Sequence, residues 1–214
     1  MAYADDLAIV VKAKKKENLI SNGNLAIEKI VDWMTLNGLD TAPQKTENRG
    51  PRKREDIKFQ IQDTTITPRK YVKYLGVWLD DKYLWNEHVR RTCAKADRQT
   101  AALTKLLPNI RGPKTQKRRL LYGVVQSILL YAAPIWERVT AVDKYKNMLL
   151  ATQRNMLLRV ASAYRTVSQQ AICVITSIPP VDILVEEKRC KINNREETTA
   201  GIKKKKWQET IREW

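Results

Sequence analysis

The chain's 214 residues carry a formal net charge of +17 and a pI near 9.9, a potential that draws polyanions and binds them in a strongly salt-dependent way. With 43% hydrophobic and 29% charged residues, the composition is that of a globular protein with one large or two small cores, which excludes an intrinsically disordered chain. No run reaches the roughly 18 apolar residues of a membrane span and no signal peptide is recognised, so no membrane role is expected.

From the N-terminus, Tyr3-Ala4-Asp5-Asp6 runs directly into Leu7-Ala8-Ile9-Val10-Val11. Five apolar residues in a row, several β-branched, predict a strand covered on both faces. Lys12 to Lys16 form a basic exit turn. Leu19, Ala26, Ile27, Ile30, Val31, Trp33 and Met34 then fall near helical spacing, and Asn37-Gly38 is a C-terminal stop. This helix is expected to pack on the sheet that bears the aspartates. Residues 48–56 read as a charged, apolar-free loop. Alternation returns in Ile57 to Ile61, with a partner strand around Thr64 to Thr67. Tyr71 to Leu79 is a third β-rich segment, broken at Gly76.

From Trp85 the period changes. Trp85, Val89, Cys93, Ala96, Leu103 and Leu107 keep to one helical stripe, Arg90, Arg91, Lys95, Arg98 and Lys105 fill the remainder, and Pro108 ends the helix. Gly112-Pro113 opens another helix. Its apolar face (Leu120, Leu121, Val124, Val125, Ile128, Leu129, Ala132) predicts deep burial, with Pro134 kinking or ending it. Met148, Leu149, Thr152, Met156 and Val160 outline a third helix. Ser168 and Ile178-Pro179-Pro180 bracket a short fourth one, and a last one spans 181–197, followed by Lys203 to Lys206 and an amphiphilic end from Trp207 to Trp214. The fold class is α+β over residues 1–80 and all-α afterwards.

Cys93, Cys173 and Cys190 are odd in number and widely spaced. They form neither a disulfide framework nor a Cys-x-x-Cys zinc site, which points to a reducing compartment. The one histidine, His88, lacks a partner at ligand spacing and is expected on a helix surface.

Asp5 and Asp6 carry the sharpest chemistry. Adjacent carboxylates at the mouth of a buried strand repel one another and resist desolvation, and a divalent ion compensates both costs. Mg²⁺ suits such oxygens and keeps positions open for water and phosphate. A strand-entry turn is the plainer reading of an Asp pair.

These residues resemble the active-site hairpin of reverse transcriptases, whose Tyr-X-Asp-Asp signature lies between two palm strands. Lys45-Thr46-Glu47, Lys73-Tyr74-Leu75-Gly76-Val77-Trp78-Leu79-Asp80, Leu129-Leu130-Tyr131-Ala132-Ala133-Pro134-Ile135-Trp136 and Ala163-Tyr164-Arg165-Thr166-Val167-Ser168 follow in order. They resemble successive landmarks of LINE-like, non-LTR retrotransposon polymerases of the jockey-like group, over nearly the whole chain. The resemblance implies a partial polymerase palm over 1–80, an antiparallel β-sheet with a packed helix. It implies a helical thumb over 81–135 and a C-terminal helical extension with a basic tail over 136–214.

It further implies an RNA-directed DNA polymerase using Mg²⁺, an RNA template, a DNA primer and dNTP. By this resemblance Asp5 binds both magnesium ions directly and Asp6 supports them. One ion would acidify the primer 3′-hydroxyl and the other would stabilise the leaving pyrophosphate. Tyr3 and Lys45 match nucleotide-site positions, and Tyr74, Leu75 and Gly76 match the primer grip. Arg111, Lys114, Lys117, Arg118 and Arg119 fall where the thumb tracks template–primer phosphates. Each has a plainer alternative: a core aromatic for Tyr3, a solvated lysine for Lys45, a bulge glycine for Gly76 and a solvated helix end for the cations. Trp78 and Trp85 read as packing rather than base-stacking platforms, and 203–206 receives no role.

In that family the fingers and a palm strand with another catalytic aspartate precede the Tyr-X-Asp-Asp turn. The chain is therefore expected to be a nuclear or cytoplasmic fragment that depends on a missing N-terminal polymerase portion and is inactive alone. Two alternatives stand beside it: a basic nucleic-acid-binding remnant without chemistry, and a decayed element product.

Overall fold

The computed structural model describes residues 2–3, 6–49, 57–80, 82–108 and 112–193. Asp5, Arg111, the expected boundary residue Asp81, most of the 48–56 loop and the 203–214 stretch lie outside the described residues, and Tyr3 is described by its backbone alone. The chain divides into two compact units, Met1–Tyr83 and Leu84–Trp214.

The first unit holds one long helix and short strands. Strands β1 (Ala2–Tyr3) and β2 (Asp6–Leu7) pair antiparallel. Helix α1 (Lys16–Leu36) ends as Asn37-Gly38 predicts: Gly38 takes φ +69°, its N–H donates to Thr35 O at 3.1 Å, and Leu39 N–H donates to Met34 O at 2.9 Å. Glycine removes the Cβ penalty of that left-handed position. Next come β3 (Asn48–Arg49), β4 (Phe59–Ile61), β5 (Thr64–Ile66), β6 (Pro68–Arg69), β7 (Tyr71–Tyr74) and β8 (Val77–Asp80).

A single palm-like antiparallel sheet is not what these strands build. Among the described residues they form four separate two-stranded ladders: β1–β2, β4–β5 and β7–β8 antiparallel, and β3–β6 parallel. The physical reason is length, since strands of two to four residues offer too few ladder bonds to recruit a third neighbour. Among the described residues helix α1 packs chiefly on β4, whereas the expected partner was the sheet that bears the aspartates. Buried Gly23 makes this approach possible, because a Cβ there would lie 2.1 Å from Phe59 Cε1. Among the described residues, Ile57, Ile61, Ile66 and Val77 are this unit's buried large apolar residues.

The second unit is all-helical among the described residues: α2 (Asn86–Thr104), α3 (Thr115–Leu129), α4 (Ala133–Trp136), α5 (Asp143–Ala161), α6 (Gln169–Thr176) and α7 (Val181–Asn193). Helix α5 is its axis, packed by α2, α3, α6 and α7. Its buried Leu149, Met156, Leu157 and Val160 supply the apolar centre. Buried Gln153 is fully satisfied: its Nε2 donates to Tyr122 Oη and to Pro179 O, both at 2.9 Å, and its Oε1 accepts from Val181 N–H at 2.9 Å. One amide thus ties α5 to α3 and to the start of α7.

Three expectations are corrected in this unit. The buried stripe of α3 is Arg118, Tyr122, Val125 and Leu129, while Leu120 is 76% exposed and Val124 is also exposed. Pro134 starts α4 in its first turn, where its missing N–H is harmless, after Ala132 turns the chain at φ +52°. His88 is buried, with its ring centroid 5.9 Å from that of Trp136, instead of lying on the helix surface. Ser168 caps α6 as expected, its Oγ accepting from Ala171 N–H at 3.1 Å. No single described helix is long and apolar enough to cross a membrane.

Candidate active site and nucleic-acid interface

The β1–β2 ladder pairs Tyr3 with Asp6 and Ala2 with Leu7. Asp6 is exposed. The run behind it is not the strand covered on both faces that its composition predicts: β2 ends at Leu7, Leu7 and Ile9 are exposed, and Val10 is 83% exposed. An apolar run is buried only if elements flank it, and among the described residues β2 pairs with β1 alone.

No group of three or more His, Cys, Asp or Glu among the described residues could hold a metal ion. Asp6 is the one predicted ligand among them. Magnesium demands near-octahedral oxygen coordination, so the described donors do not by themselves fit a complete Mg²⁺ site.

Lys45 ends the 3-10 turn Pro43–Lys45 and is exposed. Its neighbour Glu47, which the motif reading left without a role, anchors this segment. Glu47 Oε1 accepts from Arg69 at 2.5 Å and its Oε2 accepts from the Lys73 N–H at 3.2 Å, fastening the Lys45-Thr46-Glu47 segment to β6 and β7. Tyr74 pairs with Val77 across the β7–β8 hairpin, whose turn is Leu75-Gly76. Both turn residues have positive φ, +46° and +79°, as a two-residue hairpin of primed type requires. Gly76 is thus a turn glycine, in keeping with the break expected there, and not a bulge glycine.

The predicted phosphate cluster separates by burial. Lys114 and Lys117 are exposed at the start of α3. Arg119 is exposed, and its guanidinium donates to Thr176 O. Arg118 is 4% exposed. Its Nη2 donates to Pro108 O at 2.6 Å, its Nε to Pro113 O at 2.7 Å and its Nη1 to Arg159 O at 2.8 Å. The expectation that Arg118 meets phosphate is corrected: a buried guanidinium engaged by three carbonyls holds Pro108 and Pro113 and caps the C-terminal end of α5. Its place in the α3 sequence, amid neighbouring cations, concealed this role.

The Ala163 to Ser168 landmark is the α5–α6 connection. Arg154 clamps it, with Nε donating to Val167 O at 3.1 Å and Nη2 to Val167 O at 2.7 Å and to Arg165 O. Burial pushes the thiols of Cys93 and Cys173 up to about 11 and the Tyr122 phenol up to about 12. None of the three is ionised at neutral pH, so none serves as a ready nucleophile.

Comparison with known proteins finds similarity to retrotransposon proteins. The chain is 25% identical over 187 residues, 85% of its length, to a "Putative 115 kDa protein in type-1 retrotransposable element R1DM" of Drosophila melanogaster. It is 26% identical over 191 residues, again 85% of its length, to a "Retrovirus-related Pol polyprotein from type-1 retrotransposable element R1 2" of Nasonia vitripennis. A second Nasonia vitripennis polyprotein, from element R1 4, is 23% identical over 222 aligned positions that take in 94% of the chain. Its homologues are proteins of R1-type non-LTR retrotransposons. Over most of its length the chain is thus similar to retrotransposon proteins, and it spans 18%, 47% and 56% of the lengths of these three relatives. No protein-family profile and no solved structure matches it.

Proposed function

We propose that this retrotransposon-derived chain is the palm-and-thumb portion of a reverse transcriptase, with palm over 1–80, thumb over 81–135 and a helical extension over 136–214. The observation that carries this reading is the antiparallel pairing of Tyr3 with Asp6 in a chain whose homologues are R1 polyproteins. Asp5 and Asp6 would be magnesium ligands, completed by acidic residues from the remainder of a longer protein. Lys45 would face the incoming dNTP, and Tyr74, Leu75 and Gly76 the primer. Among the basic residues at the start of α3, Lys114 and Lys117 remain as exposed contacts for template–primer phosphates, and Arg118 is removed from that set.

Primer extension on poly(rA)·oligo(dT) with Mg²⁺ tests the reading. The 214-residue chain alone should incorporate no dTTP, because Mg²⁺ sites tolerate incomplete ligand sets poorly. The product of the longest reading frame that contains it should incorporate dTTP and lose that activity in Asp5→Ala. A longer product that extends primers equally well with Asp5→Ala would overturn the reading. A second function, holding nucleic acid without chemistry, is favoured by one observation: Lys114 and Lys117 are exposed in a chain of net charge +17.

A further inference from the structure

The outer face of α2 is a cationic ridge that none of the sequence motifs takes in. The buried stripe of this helix is Val89, Thr92, Cys93, Ala96, Thr100 and Leu103. Opposite it, Arg90, Ala94, Arg98, Ala101 and Lys105 recur at helical spacing, and all five are exposed. Exposed Arg91 and Lys95 flank them. At 1.5 Å per residue, Arg90 to Lys105 covers about 22 Å.

The acidic residues of α2 do not neutralise this row. Glu87 holds Arg91 at 2.6 Å. Asp97 Oδ2 accepts from Thr152 Oγ1 at 3.3 Å, which draws it toward α5. Among the described residues, no ion pair engages Arg90, Lys95, Arg98 or Lys105. Ala94 and Ala101 lie between the cations and leave room for a backbone to come close.

A straight row of unneutralised cations on a rigid helix fits a regular polyanion. Each strand of a duplex carries a phosphate about every 3.4 Å of axis, so about 22 Å of helix runs beside six or seven of them. What marks this face is its charge, four cations without an ion pair among the described residues, and not its helical spacing, which any half-buried helix shows. We infer that the Arg90–Arg98–Lys105 face of α2 is a docking surface for the phosphate backbone of a nucleic-acid duplex. The inference deepens the nucleic-acid reading above, on which it rests, and moves the centre of phosphate contact from the start of α3 to α2.

Fluorescence anisotropy of the full chain with a short fluorescein-labelled RNA–DNA hybrid, titrated with NaCl, tests it. The combined variant Arg90→Gln/Arg98→Gln/Lys105→Gln should bind at least about tenfold more weakly at moderate salt, and its log–log salt slope should shrink by about 2 to 3 units, nearly one per lost phosphate contact. A charge-matched control, Arg138→Gln/Lys144→Gln/Arg165→Gln, removes exposed cations outside α2 and should change the slope by less than about one unit. Far-ultraviolet circular dichroism confirms that both variants keep their helices. Equal losses in the two variants, or an unchanged slope in the α2 variant, would overturn the inference while leaving the nucleic-acid reading standing. Failure of the unaltered chain to bind the hybrid would sink both. Tighter binding to phosphatidylserine vesicles than to the hybrid, lost in the α2 variant, would reassign the ridge to a membrane surface and overturn the nucleic-acid partner.

Discussion

Arg118 and Lys117 are neighbours in sequence with opposite physical roles. Lys117 stays in water, where its charge is available to any anion. Arg118 is buried and donates to the carbonyls of Pro108, Pro113 and Arg159. Charge-assisted hydrogen bonds of this kind contribute more than neutral ones, and their removal leaves buried acceptors without donors. Arg118→Met, which keeps most of the volume and removes every donor, should cost about 3 kcal/mol in urea unfolding. Its salt slope for the RNA–DNA hybrid should match that of the unaltered chain. A stable Arg118→Met protein with a shallower slope would return the residue to the phosphate surface.

His88 gives the residue scale its pH dependence. It is 2% exposed beside Trp136, and burial holds its pKa down to about 4 from an ordinary 6.5. In the unfolded chain the imidazole takes up a proton near pH 6.5, whereas folded His88 stays neutral down to about pH 4. The unfolded state binds more protons across that window, so stability is whole above it and falls as pH drops through it. The full effect is about 3 kcal/mol at 1.36 kcal/mol per unit. His88→Phe should flatten this fall, read as the difference between the two proteins' urea midpoints as pH is lowered from about 7.5 to 4.5. Parallel profiles would show that another group carries the acid sensitivity.

At the scale of elements, legibility followed the length of the pattern. Helix α1 and its Asn37-Gly38 stop were readable because a 21-residue periodic segment overwhelms local noise and a glycine stop has one backbone solution. The β4–β5 pairing was readable for a similar reason, alternation closed by a short turn. The Leu7–Val11 run misled, since composition records a capacity for burial and not the presence of a neighbour to supply it. On α3 the misleading signal was leucine. Leu120 and Val124 widened the apparent core face, while the inward position went to Arg118, whose donors the loop and helix-end carbonyls required. His88 was misplaced because a lone polar residue beside a buried stripe gives no sign of how far burial spreads around the helix. Gln153 sits in register with Leu149 and Met156, so its stripe position was visible but its three hydrogen bonds were not. The candidate site divides in the same way: the Tyr-X-Asp-Asp and Lys-Thr-Glu landmarks were legible as text, while Glu47's anchoring of β6 and β7 depends on strand neighbours that only coordinates supply.

On the scale of the whole molecule, the two units differ in how much core they own. Among the described residues the first buries Ile57, Ile61, Ile66 and Val77 within and beside four separate ladders, and it exposes Leu7, Ile9, Val10 and Trp33. Short unlinked ladders with so little burial are marginal in water. The second packs its helices around α5 with a continuous apolar centre and satisfied polar ties at Gln153 and Arg118. Residues 84–193 expressed alone should therefore fold to a helical protein with one cooperative urea transition and slowly exchanging amides in α5. Residues 1–83 alone should show broad, weakly cooperative unfolding and bind a hydrophobic dye such as ANS. A cooperative melt of 1–83 with no dye binding would mean that its exposed apolar run needs no covering partner. The proposed reading of residues 1–80 as a palm completed by the remainder of a longer protein would then lose its physical support.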